Sequence, residues 1–149
     1  MSIRLEDLSP AARRKVLAEI GAKPKGKNKY GAVKESRGEI VFDSRKEAAR
    51  FDELMLLLRA GKIRDLRLQV QFTLKESYVT PEGERIRAIR YVADFVYEAA
   101  EYVCDPDGES GIVWRKVVED AKSPATRTPV YEMKKKLMRE KYGIRIREI

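Results

Sequence analysis

Three side chains could carry out hydrolysis together if the fold brings them close. They are Asp94 in "YVADFVY", and Asp120 and Lys122 in "KVVEDAKS". The two-residue period of a strand puts Val118, Asp120 and Lys122 on one face and Val117, Glu119 and Ala121 on the other. A carboxylate beside an ammonium suits phosphodiester hydrolysis: the carboxylate binds a divalent cation, and the lysine orients the attacking water and offsets charge growing on the phosphorane. Magnesium is the expected cation, with manganese as a substitute, because it takes oxygen ligands, keeps several waters and needs few protein carboxylates. Asp94 lies in a strand expected beside that of Asp120, so both acids would hold one ion. An unpaired acid inside an apolar strand costs about several kcal/mol, which a cation and an adjacent lysine would offset. Taken alone, the D-x-K spacing also describes a surface ion pair on an exposed strand.

Composition narrows the alternatives. The chain has 149 residues, no histidine and one cysteine, Cys104. Ser-His-Asp and Cys-His hydrolases, Cys/His zinc sites and internal disulfides are therefore excluded, and hydrolytic chemistry must run on carboxylates, lysine and a hard metal ion. A formal charge of +8 favours a polyanionic partner, and nucleic acid over an acidic membrane, because no amphipathic helix carries an aromatic insertion face. No apolar run approaches the ~18 residues of a membrane span and no secretory pattern opens the chain, so a soluble cytoplasmic protein is expected.

The elements that must position these residues are marked by their own punctuation. "LSPAARRKVLAEIG" is a short helix, with Ser9 as cap, Pro10 in the first turn and Gly21 as stop. A basic arm follows, carrying Lys23, Lys25, Lys27 and Lys29, able to track a phosphate backbone or to serve as a solvated linker. A short hairpin turns at Ser36 to Gly38. "SRKEAARFDELMLLLRAG" predicts a helix over 44–60, with Ala48, Phe51, Leu54, Met55 and Leu58 inward. "LRLQVQFTLKES" alternates as a half-buried strand, "TPEGE" is a turn, 85–103 reads as one long or broken strand, and 112–122 as the next. Thr128 and Pro129 open a basic helix stopped by Gly143, with Val130, Met133, Leu137 and Met138 inward; "IRIREI" is a last strand. This order predicts an α/β fold, a mixed sheet flanked by helices.

An acid on one strand, a second strand ending in (D/E)-x-K and a helix after it resemble the PD-(D/E)XK nuclease superfamily. Here the motifs read "ADF", with alanine in the proline position, and "EDAKS". The stretch "SRKEAARFDELMLLLRAGKIRDLRLQVQF" extends the likeness to transposon end-cleaving endonucleases and to small phage-encoded members, over residues 30–149. The resemblance implies a restriction-endonuclease-like αβββαβ core with an extra N-terminal helix and arm over 1–29. It implies Asp94 and Asp120 as metal ligands, Lys122 as the catalytic lysine, and Glu47 as the acid many members present from the first core helix. Glu47 also reads as the partner of Ser44 in a capping box. Tyr131 and Lys134 stand where members often contact phosphate, with core packing as the other role for Tyr131. Lys134 and Lys135 are the DNA-contacting residues expected on this helix. The insertion between Asp94 and Asp120 is longer than a tight hairpin requires.

Ser123 after the lysine, the small size and the basic arm resemble archaeal-type Holliday junction resolvases. That likeness implies a magnesium-dependent endonuclease acting on four-way or other branched DNA as a homodimer, since one core this size holds a single active centre. A phage protein acting in its host's cytoplasm fits it. The other readings are a sequence-specific, mismatch-specific or transposition-type endonuclease, and a non-catalytic DNA-binding protein that keeps the fold.

Overall fold

The computed structural model of the protein describes residues 33–149; the expected first helix and the arm with Lys23, Lys25, Lys27 and Lys29 lie outside them. Strands β1 (Glu35–Arg37) and β2 (Ile40–Phe42) form a hairpin. It turns at Gly38, whose φ of +61° is a conformation glycine adopts without a steric penalty. Helix α1 (Arg45–Arg59) starts where "SRKE" predicts, the Ser44 hydroxyl accepting the Glu47 N–H at 3.2 Å. Strands β3 (Ile63–Lys75), β6 (Ile89–Cys104) and β7 (Ser110–Asp120) pair antiparallel in the order β3-β6-β7. Between β3 and β6, β4 (Tyr78–Val79) and β5 (Arg85–Ile86) make a small hairpin around "TPEGE". Helix α2 (Pro129–Tyr142) is capped by the Thr128 hydroxyl and ended by Gly143 in the left-handed region. Strand β8 (Arg147–Glu148) then joins the end of β7 in parallel. The result is a mixed α/β fold with a four-stranded sheet.

Of the two readings of 85–103, long or broken strand, the broken one holds, with the break at Arg87 and Ala88. Two details depart from the sequence reading. "IRIREI" contributes two strand residues rather than six, because Ile144 and Ile146 serve the core instead. In α2, Tyr131 and Met138 are the buried pair, while Val130 and Met133 are 57% and 56% exposed. Residues 131 and 138 stack two turns apart on one stripe, which leaves 130 and 133 rotated away from it. The apparent insertion after Asp94 is a long hairpin, with β6 and β7 paired from Phe95↔Glu119 to Cys104↔Ser110.

Each sheet face has its own core. On one side Ala48 and Leu54 of α1 pack with Phe42, Ile63, Phe95 and Tyr97; on the other Tyr131 and Met138 of α2 pack with Leu74, Tyr91, Ala93, Val96 and Val118. A regular strand would keep residues 91, 93, 95 and 97 on one face. Here Tyr91 and Ala93 face α2 whereas Phe95 and Tyr97 face α1. The neighbouring strand inverts at the same rung: Leu68 faces α1, and Val70 faces α2, with the pairs Leu68↔Phe95 and Val70↔Ala93 in constant register. The residues between those pairs are Gln69 and Asp94. Gln69 has φ +51°, the left-handed conformation that costs a non-glycine residue about 1–2 kcal/mol. No helix among the described residues is long and apolar enough to cross a membrane.

Candidate active site

The face inversion places Asp94 at the end of the β6–β7 ladder. Phe95↔Glu119 is the last rung; Asp94 and Asp120 stand opposite each other one step beyond it. There the backbone bond is replaced by a side-chain bond, the Ala121 N–H donating to Asp94 Oδ2 at 2.8 Å. The other Asp94 oxygen accepts from Gln69 Nε2 at 3.2 Å. Beyond the rung, β7 changes partner: Asp120 pairs with Glu148, the Ile149 N–H donates to the Asp120 carbonyl at 3.1 Å, and the Lys122 N–H donates to the Ile149 carbonyl at 3.2 Å. Lys46 of α1 donates to the Lys122 carbonyl at 2.9 Å. The D-A-K segment is thus fixed by β6, β8 and α1 together.

Asp120 and Lys122 share a face, as the strand period predicts. Asp120 is 1% exposed; its Oδ2 accepts from the Tyr91 hydroxyl at 2.9 Å and its Oδ1 lies 3.2 Å from Lys122 Nζ. The Lys122 ammonium also stands 4.6 Å above the Tyr131 ring, a cation–π contact that holds it without neutralising it. Tyr131 is buried and its hydroxyl has no hydrogen-bond partner among the described residues.

Burial first, then Asp120 beside it, push Asp94 up to about 7, against the lowering effect of the Ala121 N–H. Burial also raises Glu47, whose carboxylate feels Asp43 and Asp120. Glu47 keeps its capping contact, with the Ser44 hydroxyl 3.2 Å from its Oε1, so the cap and the acid position coexist in one side chain. Tyr91 is raised by its burial and by Asp120.

The acids are reached from two sides. A cleft of about 230 Å³ is lined by Asp43, Glu47, Gln69 and Asp94 with apolar residues of β2, β3 and β6. A second, of about 340 Å³, is lined by Arg90, Asp120, Lys122, Thr128, Tyr131 and Lys134 among others. The first is acidic; the second is predominantly basic and hydroxylic. Among the described residues no three His, Cys, Asp or Glu side chains gather into a ready-made ion cage. The Asp94–Asp120 pair supplies two oxygen donors, a set that fits magnesium, which uses one or two carboxylates and completes its shell with water and substrate phosphate.

The remaining expected contacts divide. Lys134 lines the basic cleft. Lys135 is bound to Glu148 at 2.5 Å and to Glu132 at 3.4 Å, so its charge is already matched within the chain. Sequence reading missed Gln69, Tyr91 and Arg90. Gln69 carried no signal because its left-handed backbone is not encoded by residue type, and Tyr91 looked like ordinary strand apolarity.

The family model described as "Protein of unknown function (DUF1064)" matches residues 27–147. No curated protein and no solved structure matches the chain.

Proposed function

The chain belongs to the DUF1064 family, and from that premise we propose, on its side-chain chemistry, that it is a metal-dependent DNA endonuclease of the PD-(D/E)XK kind. One observation carries the reading: Asp94 Oδ2 accepts from the N–H of Ala121, the residue between Asp120 and Lys122, at 2.8 Å, and Lys122 Nζ stands 3.2 Å from Asp120 Oδ1. The element order α1-β3-β6-β7-α2-β8 runs helix, three sheet strands, helix, strand, the order expected of an αβββαβ core, which supports the reading.

Asp94 and Asp120 would hold the cation, with Glu47 adding negative potential from the acidic cleft. Bound magnesium would supply Lewis-acid activation of the scissile phosphate and of water. Lys122, held between Asp120 and the Tyr131 ring, orients the attacking water and offsets charge on the phosphorane. Lys134, Arg90 and the hydroxyl of Thr128 line the side on which the phosphate backbone would lie. Asp120 fixes the lysine and Gln69 fixes Asp94, so neither group has to be ordered during reaction. The substrate we favour is four-way or otherwise branched DNA, cut by a homodimer in the cytoplasm, recognition resting on backbone and shape.

Incubation with labelled junction, duplex, flap and single strand, in magnesium, calcium and chelator, tests this. Paired symmetric nicks on the junction in magnesium support resolution. Cutting of duplex at fixed sequences or mismatches would redirect it to the specific endonucleases. Binding without cleavage in every metal would leave a non-catalytic DNA-binding protein.

A further inference from the structure

Beside the basic cleft of Lys122 lies another, of about 580 Å³, lined by Ser77, Arg85, Arg87, Ala88 and Arg90. Arg90 lines both. The second cleft is made by the break in the strand expected over 85–103: the chain leaves β5 at Ile86 and re-enters the sheet at Ile89, setting arginines of the small hairpin beside the first residues of β6. All three arginines are exposed, and none forms an ion pair among the described residues, unlike Arg37, Arg50, Arg64 and Arg115; Arg45, Arg59, Arg139 and Arg145 are also without an ion pair there but do not line this cleft. The hairpin also carries Glu76, Glu82 and Glu84, but none of them lines this cleft.

Three like charges around one concavity repel one another, an arrangement a polyanion relieves. Guanidinium groups grip phosphate oxygens in a fork, with geometry that a lysine cluster lacks. We propose that Arg85, Arg87 and Arg90 form a phosphate-binding track that carries the DNA strand away from the Asp94–Asp120–Lys122 centre, with Arg90 as the junction between track and centre. The inference rests on the nuclease reading for the direction of the strand, and it assigns to the β4–β5 hairpin a role in holding substrate.

Fluorescence anisotropy with labelled DNA in calcium, across a range of salt, tests it. Replacing all three arginines with alanine should weaken binding at least about tenfold and flatten the salt slope, by close to one per phosphate contact removed. Single Arg85→Ala and Arg87→Ala variants should each lower the slope by about one, and lysine in their place should restore it, which loss of folding would not allow. Arg64→Ala, whose residue pairs with Glu98, should bind as wild type. Unchanged affinity and slope in the triple variant overturn the track, and equal competition by RNA overturns its assignment to DNA. If wild-type protein cuts nothing in magnesium while the arginine variants still lose binding, the nuclease reading fails and the track stands; if it cuts and the triple variant binds normally, the reverse holds.

Discussion

Glu119 and Asp120 are neighbours in one strand, both almost wholly buried, yet their surroundings are opposite. On the α1 side Glu119 accepts from Arg50 Nε at 2.9 Å, Arg50 Nη2 at 2.8 Å and the Tyr97 hydroxyl at 2.6 Å, with Arg147 at 3.4 Å. Burial alone would raise its carboxyl, but Arg50, Tyr97 and Arg147 hold it below the ordinary range. On the α2 side Asp120 has one ammonium and one phenol, and the Asp94 carboxylate bound to the N–H of the next residue, Ala121. A buried acid saturated by donors is structural. A pair of acids with one lysine, bound to Asp120 alone, is under-neutralised, and opens onto clefts from both sides. The lesson is that burial does not identify the reactive carboxylate; the balance of charge around it does.

The largest effect that would break this contrast is on cleavage. Asp120→Asn or Lys122→Ala should lower DNA cleavage at least about a thousandfold, whereas Glu119→Gln should leave the rate per folded molecule near wild type, both read by single-turnover assay. The second is on stability. Glu119→Gln leaves Arg50 facing a neutral group and should cost about 3–5 kcal/mol in urea unfolding, while Asp120→Asn should cost far less. Equal losses from the two would erase the distinction.

Gln69 sharpens the same comparison at a smaller scale. Gln69→Gly should release the left-handed backbone and raise stability by about 1 kcal/mol. It should still slow cleavage about tenfold, because the amide that orients Asp94 is gone; Gln69→Ala should slow it equally without the gain in stability.

The last of the four is a pH effect. Asp94 has its carboxyl raised from 3.8 to about 7 in the fold, so the folded state binds the proton more tightly than the unfolded one. That contribution to stability is complete below about pH 4 and is lost as pH rises through about 7. Without divalent cations the melting temperature should therefore fall across this window, and Asp94→Asn should flatten the profile. A rise across the window that depends on Asp94 would reverse the sign and contradict its placement.

Much of this was legible in the sequence because it is local. The Ser44 cap, the ends of α1 and the common face of Asp120 and Lys122 follow from spacings of two to four residues. The opposite orientation of Glu119 follows from the same period. What escaped depends on distant partners or on backbone shape. Arg50 is 69 residues from Glu119, and nothing in "KEAARFDEL" marks it as a core ion-pair partner. Asp94 reaches Asp120 because β3 and β6 invert together at Gln69, an event invisible to a two-residue period. A broken strand over 85–103 was one of the two readings, but the place of the break, Arg87 and Ala88, which builds the arginine cleft, had no marker in an apolar and basic run.

The claim that everything else depends on is that Asp94 and Asp120 make one divalent-ion centre. Electron paramagnetic resonance titration with Mn²⁺ measures it without any substrate. Wild-type protein and Glu119→Gln should bind Mn²⁺ with the same affinity, magnesium should compete, and Asp94→Asn and Asp120→Asn should each lose that binding. Undiminished Mn²⁺ binding in both aspartate variants, or none in the wild type at millimolar ion with DNA present, would contradict the account.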